Sequence, residues 1–319
     1  MSYRKTKSDL RIENEAYIRN LADSKEVLSY IDITDSSLFK EYAKNNYFAD
    51  TTFQMLYGWS GSCHFCISSV EGGICCMGIG VDDNLSCGII AKDSPGIKNC
   101  VDRIRSILSG RSEIIIDNIP EEQLCAIREC LDSDGVVYCI ESDEDFADYL
   151  YTIDNYISLD GKQNKTKRGN MNRLLREYPD IRYEEYTGDK IQDVLEVFRG
   201  WCSCYDCSKC VFGCEYDALQ RMMEVYDDKN VCSIVYIGEE PVAFSLCAVI
   251  SDDVIACLIQ KTKYPIRGLA YYASYCIKDR YQGSRYIDLC EDMGIEGLRM
   301  DKKSLHPDLM VNKYRVIVK

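Results

Sequence analysis

The most basic segment of the chain is suited to binding a polyanion. From Gly161 to Arg176 the sequence has six basic residues and no acidic one. Such a cluster attracts phosphate groups, and a helix beginning near Thr166 would add its free N–H groups and its dipole. The alternative is a solvated loop and helix start whose charges pair with nearby Asp and Glu. The residues predicted to contact the polyanion are Lys162, Lys165, Lys167, Arg168, Asn170, Asn172 and Arg173.

A cysteine cluster in WCSCYDCSKCVFGCE raises the question of a metal site. Cys204, Cys207, Cys210 and Cys214 have the C-x2-C-x2-C-x3-C spacing of ferredoxin-type ligands, and four thiolates could also hold zinc. Against this, Glu215 stands where ferredoxins have proline, and the chain has 19 cysteines in all. Free thiols are therefore the main interpretation. A metal-dependent interaction protein is the alternative.

The composition is that of a folded, acidic protein. Of 319 residues, 46% are hydrophobic and 28% are charged, which excludes general disorder and suggests two domains. The net charge of -14 disfavours extensive wrapping of nucleic acid. With no leader-like segment and no apolar run of about 18 residues, the sequence predicts a reduced, cytoplasmic protein without a transmembrane segment. Only His64 and His306 are present, so a histidine-centred triad is not expected.

Nearly the same order of elements is predicted in both halves. Each half has three consecutive strands forming an antiparallel meander, at 64–70, 74–80 and 85–90 and again at 231–237, 241–250 and 254–260. Two helices precede each meander, and a helix, a strand, a helix and a strand follow it. The last of these strands is predicted at 311–318. The sequence predicts an α/β (α+β) fold of two duplicated domains, 1–147 and 148–319, joined around 142–150. Each domain is expected to be a mixed, mostly antiparallel sheet flanked by helices.

Several motifs near and beyond the junction resemble a known family. They include YLY (149–151), GK (161–162) and KRGNMN (167–172), with DTTFQMLYGW (50–59), EEPVAFSL (239–246) and GIEGLRMDKKSLHP (294–307). In these segments the chain resembles soluble relatives of the phosphatidylglycerol lysyltransferase C-terminal domain. That resemblance implies a tandem GCN5-related N-acyltransferase-like fold. Asp288 and Cys290 depart from the family pattern of Asn and Glu, whereas Asp292 and Gly294 follow it.

The resemblance implies acyl or aminoacyl transfer. The expected donor is aminoacyl-tRNA, and the acceptor is an unidentified small amine, hydroxyl or lipid. The reaction needs a path for the nucleophile's proton and donors for the developing oxyanion. The catalytic candidates are Gln260, Lys261, Asp292, Arg299 and Lys302. Their structural alternatives are surface lysines, an Asp292 helix cap and an Arg299 ion pair.

Acyl-coenzyme A is the alternative donor. Members of the fold that use it bind its pyrophosphate on a Q/R-x-x-G-x-G/A loop. Here KTKYPIRGLAYYA offers Arg267, Gly268 and Ala270, but Pro265 occupies the place of Gln or Arg. A simple helix-start glycine is the other interpretation of Gly268. A further class of function is a noncatalytic module that binds a small ligand.

Overall fold

The computed structural model describes residues 8–24, 28–42, 48–204, 213–278 and 283–319. The chain forms two compact units. Unit 1 comprises Met1–Ala147, Ser208–Val225 and Asn312–Lys319, and unit 2 comprises Asp148–Cys207 and Tyr226–Val311. The predicted domains meet at the same junction, 147/148. They differ from the units because two later segments belong to unit 1.

The strands and helices have the following bounds. The strands are β1 (Ser29–Tyr30), β2 (Cys66–Val70), β3 (Gly73–Ile79), β4 (Leu85–Ala91), β5 (Ile114–Ile119), β6 (Tyr138–Ser142), β7 (Asp148–Thr152), β8 (Ile181–Glu185), β9 (Asn230–Ile237), β10 (Glu240–Val249), β11 (Val254–Thr262), β12 (Tyr286–Asp288), β13 (Leu309–Val311) and β14 (Tyr314–Val318). The helices are α1 (Asp9–Asp23), α2 (Ser36–Tyr42), α3 (Phe53–Cys63), α4 (Ser94–Ile107), α5 (Glu121–Ser133), α6 (Ile153–Ser158), α7 (Lys165–Glu177), α8 (Ile191–Ser203), α9 (Glu215–Glu224), α10 (Leu269–Tyr275) and α11 (Glu296–Ser304).

Each unit contains one seven-stranded sheet, and the two sheets have the same strand pattern. The order is β1-β2-β3-β4-β5-β14-β6 in unit 1 and β8-β9-β10-β11-β12-β7-β13 in unit 2. The pairs β4/β5 and β11/β12 are parallel, and the other paired strands are antiparallel. The predicted fold class, mixed and mostly antiparallel sheets flanked by helices, is confirmed.

In each sheet, the strand in the sixth position pairs with strands that are distant from it in sequence. β14, at the end of the chain, lies between β5 and β6, and β7 lies between β12 and β13. We call β7 and β14 the exchanged strands. Their buried side chains support the pairing, because Val316 of β14 and Tyr151 of β7 are both buried in the cores of their sheets. The predicted single strand 311–318 is in fact two strands, β13 and β14, which belong to different sheets.

The central strands are covered on both faces. All of β3 is buried, and its alternate residues belong to two separate cores, with Cys75 and Met77 in one and Ile74 and Cys76 in the other. Side chains of a strand alternate between faces, so helices must cover both. This explains why the strands are apolar runs rather than alternating ones.

Candidate functional site

A polar cluster in unit 2 surrounds the turn that follows β12. In this turn, residues 289–295, Cys290 and Met293 have positive φ angles of 60° and 53°, which are strained for non-glycine residues. Two buried aspartates hold the turn through its backbone. Asp288 Oδ1 accepts from the Cys290 N–H at 2.7 Å, and Asp292 Oδ1 accepts from the Gly294 N–H at 2.9 Å.

Asp292 is fully buried and joins the turn to two other elements. Tyr149 of β7 donates its hydroxyl to Oδ2 at 2.5 Å. Arg299 of α11 donates Nε to Oδ2 at 2.8 Å and Nη2 to Oδ1 at 2.6 Å. Burial opposes ionisation of Asp292, but the hydrogen bonds from Arg299, Tyr149 and Gly294 outweigh it and lower its pKa to about 2. Burial and the adjoining carboxylate raise the pKa of Tyr149 to about 12. At neutral pH the carboxylate is therefore charged and the phenol neutral.

Lys302 of α11 holds the same turn from another side. Its Nζ donates to the carbonyl oxygens of Leu289 at 2.7 Å, of Cys290 at 3.0 Å and of Glu291. An ammonium group has three N–H donors, so these three carbonyls can use all of them. The Lys302 carbonyl accepts in turn from the Tyr151 hydroxyl at 2.8 Å. Lys302 is buried, unlike the surface lysine of the structural alternative.

Three of the five predicted catalytic residues are thus brought together: Asp292, Arg299 and Lys302. Asp292 and Arg299 form the ion pair expected by the structural alternative, and Lys302 is bonded to backbone carbonyls. The contacts give Asp292 and Lys302 a positioning role, because both fix the path of residues 289–295. A catalytic role for any of the three stays a prediction.

Gln260 and Lys261 have other neighbours. Successive residues of a strand point to opposite faces, and these two contact helices on opposite sides of β11. Gln260 Nε2 donates to the carbonyl of Ala270 in α10 at 2.8 Å. The Lys261 ammonium lies 4.0 Å from the ring centroid of Trp201 in α8, within cation–π range. Their catalytic roles also stay predictions.

Helix α7 carries most of the predicted polyanion-binding residues, and two of them point inward. Lys167 is buried, its Nζ donates to the carbonyl of Ser304, and its burial lowers its pKa. Arg168 Nη1 donates to the carbonyls of Leu159 and Gly161, the latter at 2.8 Å. These two cations are engaged by backbone oxygens and support local structure. Their role in polyanion binding stays a prediction.

The remaining cations of this segment point outward. Two of them, Lys165 and Arg176, are exposed on α7, and the neutral Asn172 is exposed between them. The three residues follow the i, i+7, i+11 spacing of one helix face. Lys162, just before the helix, is exposed as well. We call these four residues the α7 outer face. Arg173 is also exposed but pairs with Glu177 at 2.6 Å.

The predicted cofactor loop is shaped by packing between α10 and α7. Gly268 has φ of +90°, and a Cβ at this position would lie 2.6 Å from the backbone oxygen of Asn170. Glycine is therefore required by the backbone conformation and by the close approach of the two helices. Arg267 and Ala270 are exposed beside it. Binding of a cofactor here stays a prediction, with a packing role for Gly268 beside it.

Half of the cysteine motif can be assessed. Cys207 and Cys210 lie outside the described residues, whereas Cys204 and Cys214 are exposed free thiols. Many of the other described cysteines are buried in the cores, and burial raises the pKa of Cys63 to about 12. The metal site stays a prediction.

Sequence reasoning gave no role to Tyr149, Tyr151 and Asp288. All three are buried, and the two tyrosines hydrogen-bond to the turn and to α11. The alternation Y-L-Y was the available signal, because it places both phenols on the same face of a strand. The sequence held no such signal for Asp288, because its part in the site is a hydrogen bond from the Cys290 N–H in the turn that follows it.

The comparisons with known proteins decide the family. A model of the phosphatidylglycerol lysyltransferase C-terminal family matches residues 43–317. The chain belongs to this family. The matched region contains strands of both sheets, and helix α1 lies before it. No curated protein matches the chain significantly.

Solved structures share the fold. A conserved protein of unknown function from Bacteroides thetaiotaomicron VPI-5482 has 20% identity and a TM-score of 0.80, with 92% of this chain and 99% of that chain covered. L-PGS from Bacillus licheniformis has 15% identity and a TM-score of 0.64, with coverage of 90% and 92%. A C-terminal DUF2156 domain from Agrobacterium fabrum has 14% identity and a TM-score of 0.64, with coverage of 89% and 91%. At these identities the likeness shows the fold alone.

Among the described residues, none of the helices is both long enough and apolar enough to cross a membrane.

Proposed function

We propose that this chain is an aminoacyltransferase that takes an aminoacyl group from tRNA and passes it to an amine or hydroxyl acceptor. Membership of the lysyltransferase family supports the transferase part. The observation that carries the tRNA part is the α7 outer face, with three exposed cations in a chain of net charge -14. An acidic protein repels nucleic acid except where its cations are concentrated.

The proposed reaction is acyl transfer. The nitrogen or oxygen of the acceptor attacks the ester carbonyl that joins the amino acid to the terminal ribose of tRNA. A new amide or ester bond forms, the ester bond to the ribose breaks, and the proton lost by the nucleophile goes to the departing hydroxyl. The acceptor is a small amine or hydroxyl, or a lipid.

Within this proposal, Arg299 is the donor for the developing oxyanion. Its side chain is 30% exposed, and its two hydrogen bonds to the Asp292 carboxylate fix its orientation. A preorganised cationic donor stabilises negative charge in the transition state more than a mobile one. Asp292 and Lys302 act as positioning residues. Gln260 and Lys261 lie on opposite faces of β11 and stay catalytic candidates without an assigned step.

Two alternatives are tested alongside. A coenzyme A-dependent N-acyltransferase would bind its cofactor at Arg267, Gly268 and Ala270, but the packing of Gly268 against α7 accounts for that glycine without a cofactor. A noncatalytic ligand-binding module is favoured by one observation. Both Asp292 and Lys302 are fully engaged by the chain's own groups.

The test of the tRNA part compares two triple variants with the wild type. One removes three cations of the outer face (K162A/K165A/R176A), and the control removes three exposed cations elsewhere (K98A/R128A/K229A). Lys167 and Arg168 are left unchanged because their loss would disturb local structure. tRNA binding is measured at several salt concentrations.

The wild type and the control should bind alike, and the outer-face variant should bind more weakly. The slope of log K against log salt should fall in magnitude by about two to three for the three lost phosphate contacts. Equal binding by both variants, or no binding by the wild type, removes the tRNA part.

The transfer step is tested with labelled lysyl-tRNA and with labelled acetyl-coenzyme A. Each is incubated with a mixture of polyamines and amino acids or with phosphatidylglycerol vesicles. Label in the small-molecule or the lipid fraction identifies the acceptor class. Stabilisation by a donor without any transfer supports the noncatalytic module instead.

A further inference from the structure

Three polar side chains form a row across the sheet of unit 2. Ser245 of β10 is paired with Ser233 of β9 on one side and with Gln260 of β11 on the other. Residues directly opposite each other on neighbouring strands project from the same face. Ser245 is 0% exposed and Ser233 is 3% exposed, whereas Gln260 is half-buried, so the serine end of the row lies inside the protein.

The row continues beneath α10 as a chain of hydrogen bonds. Ser274 of α10 donates to Gln260 Oε1 at 3.1 Å, and its hydroxyl lies 2.8 Å from the hydroxyl of Tyr156 in α6. At the other end, Ser233 is paired with the exposed Glu185 of the edge strand β8. The polar side chains thus lead from the surface at β8 to the buried Tyr156.

Two hydroxyls in the middle of this row are not satisfied by the protein. Within the described part of the chain, neither Ser233 Oγ nor Ser245 Oγ has a hydrogen-bond partner. Leaving a buried hydroxyl unbonded is costly, and nearly all such groups in folded proteins bond to protein or to internal water. The ladder between β10 and β11 is irregular next to Ser245, with a register shift between Leu246 and Cys247. Such bulges locally disrupt the strand pairing.

We propose that Ser233 and Ser245, with Gln260 beside them, form an internal water site beneath α10. Water fits because it both donates and accepts hydrogen bonds, as hydroxyl and amide groups require. A buried ion does not fit, since the buried members of the row are all neutral. The bound water bridges the two serine hydroxyls and joins β9 and β10 to the hydrogen-bonded chain of α10. This inference is independent of the proposed transferase activity.

The sign of a stability change tests the proposal. S233A and S245A are compared with the wild type by equilibrium urea unfolding, and S274A, which loses the hydrogen bonds between α10, Tyr156 and Gln260, serves as the reference. If water is bound, each serine substitution lowers the unfolding midpoint, and the double variant loses less than both single variants together. If the row is dry, removal of an unsatisfied hydroxyl raises the midpoint. A raised or unchanged midpoint overturns the proposal.

A direct observation supplies the second test and does not depend on how well the variants fold. A high-resolution crystal structure of the wild type should show an ordered water within hydrogen-bond distance of both Ser233 Oγ and Ser245 Oγ. A dry row, or serine hydroxyls bonded to backbone carbonyls, overturns the proposal.

Discussion

Replacing Asp292 by Asn should destabilise the protein in a way that depends on pH. The native pKa is about 2, against an ordinary value of 3.8. That difference corresponds to about 2 kcal/mol of stability from ionisation of this one group. Because the native pKa is depressed, the contribution is complete above about pH 4 and is lost as the pH falls through about 2. The Asn variant lacks it and also leaves Arg299 without its carboxylate, so the total loss at pH 7 should be about 3 kcal/mol.

The assay is urea unfolding of the wild type and D292N at pH 7 and in steps down to pH 3. The difference in free energy of unfolding should be largest at pH 7 and should shrink as the pH falls towards 3. Asp252 is an exposed carboxylate of unit 2, and D252N serves as the control, with a change below about 0.5 kcal/mol. If D292N behaved like D252N, or if its penalty were the same at every pH, the buried ion pair would not stabilise the turn as argued.

Three further substitutions and one control substitution test the packing of both units. Gly268→Ala should lower the free energy of unfolding by about 2 kcal/mol or more, because φ is +90° and the new Cβ would meet the Asn170 backbone. The control is Gly169→Ala, in an open and exposed position of α7. It should raise the free energy of unfolding by about 0.5–1 kcal/mol. Val316→Ala should lower the free energy of unfolding by about 2 kcal/mol. Amide hydrogen exchange should become faster in β5 and β6 but not in β9 and β10. Equally faster exchange in both sheets would argue against the placement of β14 in the sheet of unit 1. Lys302→Met should leave three carbonyls of the turn without their donor, so thermal unfolding should occur at lower temperature, and an unchanged midpoint would contradict its positioning role.

Much of the fold could be predicted because its signals are local. The meander strands are apolar runs separated by short polar turns, and the six predicted strands differ from the observed ones by at most a few residues. β7 was missed because its evidence is not local. The segment around Asp148 is acidic and was interpreted as a linker, yet it pairs with β12, more than a hundred residues away. The division of 311–318 between two sheets was invisible for the same reason.

The site was predictable in composition and not in orientation. The basic cluster of α7 is evident from the letters alone, but the inward direction of Lys167 depends on the carbonyl of Ser304 in a distant helix. An ion pair of Arg299 was foreseen as one alternative, but its partner, Asp292, was not. Burial of Lys302 was not foreseen, since a lysine followed by another lysine in a polar helix has the pattern of a surface residue.

The two sheets share a topology, and their polar chemistry differs at the exchanged strand. In unit 1, Arg315 of β14 binds Asp117 of β5 through two hydrogen bonds of 2.6 and 2.8 Å, so the strand itself supplies the countercharge. In unit 2, Tyr149 of β7 supplies a neutral hydroxyl to Asp292, and the countercharge comes from Arg299 of α11. A carboxylate withdrawn from water needs a partner in either case. When the partner is a helix residue rather than a strand residue, the guanidinium is held at the end of the sheet, beside a strained turn. Strained backbone clusters at functional sites, and here it lies beside a partly exposed guanidinium, which is why we place the candidate site in unit 2.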